Sequence, residues 1–534
     1  MKFPVISTVL PFLLNSCLCF QFKIEHISPD LNKEKTVVIF AFSGLRWDSM
    51  DLFKMENLKT LSEGGMHARR KIDAFQSESL PAFMTMSTGR YPETHGLVSN
   101  RMKDLSSGEI FDVTSKDPKW WNAAEPIWIT NEKRNGSSSA LCFWPGFDIE
   151  FDGKHPSHKC PLEDDKNNYM NPFHELTTKG EIPGKVMSIE TRLQYVKKWL
   201  SMKLEHRPNL IGVYFEEPLN TALKFGFNNS VPQLVEVFKV IDKIIEDFVA
   251  FLKAKQLFDK VNFIVTGESG VTNIKDGKDI YLDDYVDKDL YDVIDNGPIT
   301  SLSPKDGNTD EVLKKLSGAH PHMQVFNSSS IPDNFRYKYE NRTMPIILVV
   351  DEHFRINPSR QGVDPYKALM GYDGKFPSSH SLFIAHGPAF KKGSHVPAIG
   401  NVDIYQLLCK ALKLGPLKHD GNVTMVEKTI QKRDKWYEYI AKKIVTTKQG
   451  LTASIIIALL LLFLTIYLII YAIHKTFNLC QKTTKIKVPA NPVKLIKNNN
   501  KNKKDGGQHL LSDDEEMSSD LSGSDAEFEL KITK

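Results

Sequence analysis

The stretch FQSESLPAFMTMSTGRYPETHGLVSN, residues 75–100, is where this chain concentrates side chains that could do chemistry. A polar loop runs into a short apolar helical segment and then a Gly-Arg-Tyr-Pro turn. Ser79 stands beside Leu80 and Pro81 at the mouth of the run Phe83, Met84, Met86. Its hydroxyl is predicted to project at a helix N-terminus, where unpaired backbone N–H groups attract anions. That position suits a nucleophile facing a phosphate. It equally suits a capping serine, since serine is among the commonest helix caps. Metal-free activation of such a serine would call on a histidine base oriented by a carboxylate, and His95, His320, His322, His380 and His386 are available.

The elements that would position this stretch alternate between strand and helix. Short β-branched and apolar runs at 36–42, 139–144, 210–215, 261–266, 346–350 and 382–385 suit strands buried on both faces of a mostly parallel sheet. After the third run, Ser230 and Pro232 open a helix whose apolar positions Leu234, Val237, Phe238, Ile241, Ile244, Ile245, Phe248, Phe251 and Leu252 follow the helical period. The expected unit is a β-helix-β crossover, and the expected fold class is α/β, a mostly parallel central sheet with helices on both faces. In open α/β sheets the ligand site lies beyond the carboxyl ends of the strands. Ser43, Leu219, Glu268 and, after its loop, Met370 fall there.

The run Ser79-Leu-Pro-Ala-Phe-Met-Thr-Met-Ser-Thr-Gly-Arg-Tyr-Pro-Glu-Thr-His-Gly96 resembles the nucleophile segment of the ectonucleotide pyrophosphatase/phosphodiesterase family, a branch of the alkaline phosphatase superfamily. Further pieces recur in the family's order: Phe40-Ala-Phe-Ser-Gly-Leu-Arg-Trp-Asp48, Trp144-Pro-Gly146, Tyr214-Phe-Glu-Glu-Pro218, Ala319-His-Pro-His322 and Phe383-Ile-Ala-His-Gly-Pro-Ala-Phe390. The resemblance implies an alkaline-phosphatase-like fold, two zinc ions held by six Asp and His side chains, and a Thr that attacks phosphorus. Carried onto this chain, the nucleophile-equivalent is Ser79 and the phosphate-contacting Asn is replaced by Ala82. The ligand-equivalent positions hold Ser43, Leu219, Leu223, Glu268, Ser269 and Met370, flanked by matching neighbours. Leucine offers zinc no donor and a thioether is a poor one. No resident metal or other cofactor is therefore expected, and no catalytic residue is expected to function. His95, His320, His322 and His386 lie in matching segments and are read as structural, and Lys224 as facing solvent.

Composition bounds the rest. The 534 residues are 41% apolar and 25% charged, ordinary for a globular protein. The net charge of +4 averages a lysine-rich segment, 475–504, with an acidic one, 505–529, and no nucleic-acid partner is expected. Residues 1–19 read as a signal peptide, with Lys2, an apolar run at 5–14 and small or polar residues after it. Residues 451–473 contain no charge over a length that spans a bilayer, for which about 20 residues suffice. Lysines after that run outnumber those before it, which predicts a type I orientation. The expected organisation is signal peptide 1–19, extracellular phosphodiesterase-like domain 20–435, juxtamembrane stalk 436–450, transmembrane helix 451–473 and disordered cytoplasmic tail 474–534. The glycosylation triplets at Asn135, Asn228, Asn327, Asn341 and Asn422 all precede the apolar run. Cys142 and Cys160 bracket a short Pro/Gly/Asp/His-rich loop, which fits a disulfide in an oxidising compartment. Cys409 falls on the apolar face of a helical run and is expected to be a buried thiol.

The function expected is that of a catalytically inactive cell-surface glycoprotein, at the plasma membrane or a secretory-pathway membrane. Its ectodomain would bind an extracellular protein, a nucleotide or a lipid-like ligand. A second expectation is a divergent phosphodiesterase acting through Ser79 and Glu268. A third places the activity in the tail, where Ser512 and Ser524 precede acids as acidophilic kinases prefer and Leu510-Leu511 resembles an endocytic dileucine. Asp505, the acid before that pair, lies one place further away than the usual dileucine spacing.

Overall fold

Six apolar residues in succession after Thr36 form the first strand, β1 (Thr36–Phe42), and every one of them is buried. In this computed structural model the described residues are 36–134, 136–162, 169–170, 185–361, 365–431 and 459–475. The expected signal peptide, Asn135, the stalk and the tail beyond residue 475 lie outside them. After β1 come α1 (Glu56–Glu63), β2 (Met66–Ile72), α2 (Ser79–Thr88), β3 (Ser139–Cys142) and β4 (His158–Lys159). Then follow α3 (Ile189–Leu200), β5 (Leu210–Phe215), α4 (Leu219–Phe225), α5 (Pro232–Ala254) and β6 (Val261–Gly267). The remaining elements used below are β7 (Tyr291–Asp295), β8 (Ile299–Pro304), β9 (Met323–Asn327), β10 (Ile346–Val350), β11 (Ser381–His386), β12 (Ser394–Val396), β13 (Ile399–Gly400) and α6 (Asp403–Leu412).

The central sheet has nine strands in the order β12-β2-β11-β6-β1-β5-β3-β4, with β13 also paired to β2. It is mostly parallel: β5 and β6 flank β1 in parallel register, Val37 facing Leu210 on one side and Asn262 on the other. β11 is the exception, antiparallel to both β6 and β2. The crossover from β5 to β6 is α5, opened by Pro232, whose fixed φ and missing N–H cost nothing in a first turn. Its buried stripe runs Leu234, Phe238, Ile241, Ile244, Ile245, Phe248, Leu252. Phe248 meets Phe40 of β1 at 4.9 Å and Phe263 of β6 at 4.7 Å, aromatic contacts that add to the area buried. α5 packs with α1, α3 and α4, while α6 packs on β1 and α2.

Two expected strands differ in the structure. The run 346–350 is not part of the central sheet: β10 lies between β8 and β9 in an antiparallel sheet ordered β7-β8-β10-β9. Ile346, Leu348 and Val350 face a second core with Leu302, Val312 and Leu316, while Ile347 and Val349 face the main one. A continuous apolar run reports burial on both faces and says nothing of which sheet supplies the neighbours. The run 139–144 ends as a strand at Cys142, because Phe143 turns to a φ of 55°.

A disulfide joins Cys142 to Cys160, and Cys409 is a buried free thiol on α6. Residues 459–475, in the chain's second compact unit, form a helix whose apolar side chains are exposed. No helix among the described residues is long and apolar enough to cross a membrane, and the apolar run of 451–473 extends beyond them. Replacing both cysteines, Cys142→Ala with Cys160→Ala, should lower unfolding free energy by about 3 kcal/mol, the loop-closure value for a separation of 18 residues. Denaturant titration of the full chain would read it.

Candidate functional site

At the carboxyl end of β1 the chain turns through Ser43 and Gly44, and Gly44 has a φ of +74°. A Cβ there would lie 2.8 Å from Val271 Cγ2 and 3.1 Å from Leu219 Cα, so glycine lets three loops converge. The Ser43 N–H donates to the Phe215 carbonyl at 2.8 Å, and the Leu219 N–H donates to the Ser43 carbonyl at 2.9 Å. Ser79 arrives on α2. It is the first helical residue rather than the cap, which is Glu78. One N–H of the helix N-terminus is already partnered from within, Leu80 donating to Asn100 Oδ1 at 3.0 Å. Glu268 follows β6, in a turn closed by Gly270, where a Cβ would sit 2.1 Å from the Ser378 carbonyl oxygen.

These loops bring four of the expected residues together. The fully buried Ser79 hydroxyl donates to Glu268 Oε1 at 3.2 Å, with Met370 Sδ 3.4 Å away on its other side. The Ser43 hydroxyl donates to the same Glu268 oxygen. Glu268 Oε2 is buried without a hydrogen-bond partner. Burial pushes this carboxyl up to about 7, against the opposing pull of the Ser43 and Ser79 hydroxyls and the Lys71 ammonium.

The other expected positions are arranged differently. Leu219 is buried in the wall of the turn, and Leu223 is half-buried with its carbonyl accepting from the Lys367 N–H at 2.7 Å. Ser269 turns away, its hydroxyl donating to the Ser379 carbonyl at 3.3 Å. The Ala82 carbonyl accepts from Asn401 Nδ2 at 2.8 Å. Lys224 is exposed. The histidines partner elsewhere: His95 with Thr85 and Leu97, His322 with Asp351, His380 with the Gly374 carbonyl, and His386 stacked on Phe258. His320 accepts from the His322 N–H. Burial drives His95 down to about 3, so its ring is neutral. Among the described residues no group of three His, Cys, Asp or Glu side chains is placed to hold a metal ion.

Sequence reasoning missed Lys71. Met66 and Ala68 of β2 face inward, and a strand's period of two would bring Arg70 in after them. The pairing with β11 sets Ala68 against Phe383 but Lys71 against Ser381, so β2 carries one extra residue there. This bulge turns Lys71 inward instead. Its ammonium, wholly shielded from solvent, donates to the Asp73 carboxylate, to the Glu268 carbonyl at 3.0 Å and to Asn401 Oδ1 at 3.1 Å. A second missed group is the pair Glu78 and Asp295, with the Ser99 hydroxyl between them. Burial and mutual repulsion hold Glu78 well above the usual carboxylate range. Nothing local marks either group, because a bulge and a contact 217 positions apart belong to the pairing of distant segments.

Residues 37–380, which contain Ser43, Lys71, Ser79, Glu268 and Met370, match the family described as type I phosphodiesterase / nucleotide pyrophosphatase. The chain belongs to that family. It is 32% identical over 429 residues to human ectonucleotide pyrophosphatase/phosphodiesterase family member 5, covering 80% of this chain and 82% of that protein. It is 33% identical over 388 residues to the human bis(5'-adenosyl)-triphosphatase of the family, covering 72% and 80%. Among solved structures, mouse family member 5, as a variant inactivated by a single Thr-to-Ala substitution and in complex with AMP, superposes with a TM-score of 0.67 at 31% identity, covering 74% of this chain and all of that one. The human member 5 structure gives 0.66 at 30%.

Buried acids recur in this phosphodiesterase-family chain. Burial raises Glu217 to about 7, Asp73 to about 6 and Glu268 to about 7. Each therefore binds its proton more tightly folded than unfolded, so the native state holds more protons between about pH 4.5 and 7. These carboxyls make stability fall as pH rises through that window, by roughly 3 kcal/mol for a group shifted as far as Glu268, and together they outweigh the neutral His95, which acts in the opposite sense up to about pH 6.5. Melting temperature at pH 5.5 should exceed that at pH 7.5, and Glu268→Gln should shrink the difference. A melting temperature that rises from pH 5.5 to 7.5 would contradict this ordering.

Proposed function

We propose that this family member is a type I cell-surface glycoprotein, of the plasma membrane or a secretory-pathway membrane, whose ectodomain binds a ligand without hydrolysing it. One observation carries the reading. The six ligand-equivalent positions offer a single ionisable donor, Glu268, and its Oε1 is already shared by two serine hydroxyls. Leu219 and Leu223 have no donor atom, Met370 has a thioether, and the Ser269 hydroxyl is engaged with a carbonyl. That set does not fit two zinc ions, which take thiolate, imidazole or carboxylate ligands. Without a Lewis acid Ser79 stays protonated, and several kcal/mol of transition-state stabilisation are missing, at about tenfold in rate per 1.4 kcal/mol.

Electrostatics support the same reading. A phosphodiester anion approaching Ser79 would meet Glu268 and Glu78, with the Leu80 N–H spent on Asn100 and the Lys71 donors spent on three acceptors. The ligand classes proposed are an extracellular protein, a nucleotide or a lipid-like molecule. Membrane anchorage is supported by the apolar run 451–473, whose described part is helical with exposed apolar side chains. Glycosylation is supported by geometry: the Oδ1 atoms of Asn228, Asn327 and Asn422 accept from nearby backbone N–H groups, which leaves each Nδ2 for a sugar. The tail's kinase and trafficking contacts remain part of the proposal.

A second reading has its own observation. Ser79 Oγ and Glu268 Oε1 are 3.2 Å apart and the carboxyl is raised to about 7, a serine beside a base of suitable strength. It would make the chain a weak, divergent phosphodiesterase. Full chain incubated with zinc, a chromogenic thymidine phosphodiester and diadenosine polyphosphates should show no turnover above that of Ser79→Ala. Turnover abolished by Ser79→Ala would select the second reading instead.

A further inference from the structure

We propose that Lys71 is a resident cation shared by two buried carboxyls of this site, Asp73 and Glu268. The proposal rests on the reading of the site as metal-free and adds what replaced the metal. An ammonium removed from water is tolerated when each donor finds an acceptor. Lys71 has three N–H donors and meets three acceptors from three segments: the Asp73 carboxylate just past β2, the Glu268 carbonyl just past β6, and Asn401 Oδ1 just before α6. Asn401 passes the connection on, donating through Nδ2 to the Ala82 carbonyl of α2. One charged group thus ties the strand end that bears Glu268 to the helix that bears Ser79.

The charge count points the same way. Glu268 is fully buried, with one oxygen lacking any hydrogen-bond partner. The groups that touch its side chain, Ser43 and Ser79, are neutral. Lys71, paired directly with Asp73 and held at the Glu268 main chain, is the positive charge the two carboxyls share, and in a water-poor interior that attraction acts at several times its strength in water. The β2 bulge is what makes the arrangement possible, since unbulged pairing would leave Lys71 facing outward.

The test uses the full chain from a secretory host. Elemental analysis of the wild-type chain should find zinc far below one ion per chain. In a thermal cycle run in the Asp73→Asn background, which removes the direct ion-pair partner, Lys71→Met should lower the melting temperature, and at least half of that loss should be recovered when Glu268→Gln is added, because a neutral amide no longer needs the cation. If Lys71→Met does not reach the surface, the cycle is read as surface yield, with recovery by Glu268→Gln again expected. Equal losses in both backgrounds, in a zinc-free chain, would overturn the role of Lys71 alone. One zinc per chain would overturn it together with the metal-free reading.

Discussion

A carboxyl group with no water around it must find its balance among its neighbours, and the centre of this molecule is arranged about that requirement at Glu268. One of its oxygens gathers the hydroxyls of Ser43 and Ser79, so the end of β1, the end of β6 and the start of α2 are drawn to one atom. The Lys71 ammonium fastens the same residue through its main chain. Hydrogen bonds to ionised groups are the stronger kind, and in a buried network each depends on the rest being satisfied.

Two backbone features allow that convergence. Gly44 takes a positive φ where any Cβ would strike Val271 and Leu219, and Gly270 folds back where a Cβ would strike the Ser378 carbonyl. The sheet supplies the platform, with β5, β1 and β6 parallel and delivering their carboxyl ends side by side. β11, running the other way, packs the loop before it against the Glu268 turn, through the Gly270 N–H bond to the Ser379 carbonyl. The family's α/β scaffold therefore holds a carboxyl-rich centre. Glu78 and Glu268 are the buried acids nearest Ser79 in the chain and in its hydrogen bonds, and the Leu80 N–H of α2 is taken by Asn100.

Legibility in the sequence followed how local each feature is. The apolar run of β1 and the helical stripe of α5 were readable because six or more residues repeat one periodicity, and both elements lie where that periodicity puts them. Ile346 to Val350 read equally well as a strand, but its partners are β8 and β9, and a run buried on both faces carries no mark of its sheet. Ser79 was placed at a helix start correctly, while its exclusion from the capping role depended on Glu78, one residue earlier, taking the extended conformation.

By itself the sequence determined the family, the α/β class and that positions 43, 219, 223, 269 and 370 carry no carboxylate, imidazole or thiolate, since residue type alone decides which donor a side chain offers. Only the tertiary structure decided what surrounds Glu268. Lys71, Asp73, Asn401 and Glu268 are up to 330 positions apart, and a single extra residue in β2 chooses which side chain points inward. That choice is made by strand register, a property of the pairing between β2 and β11 that neither strand specifies alone.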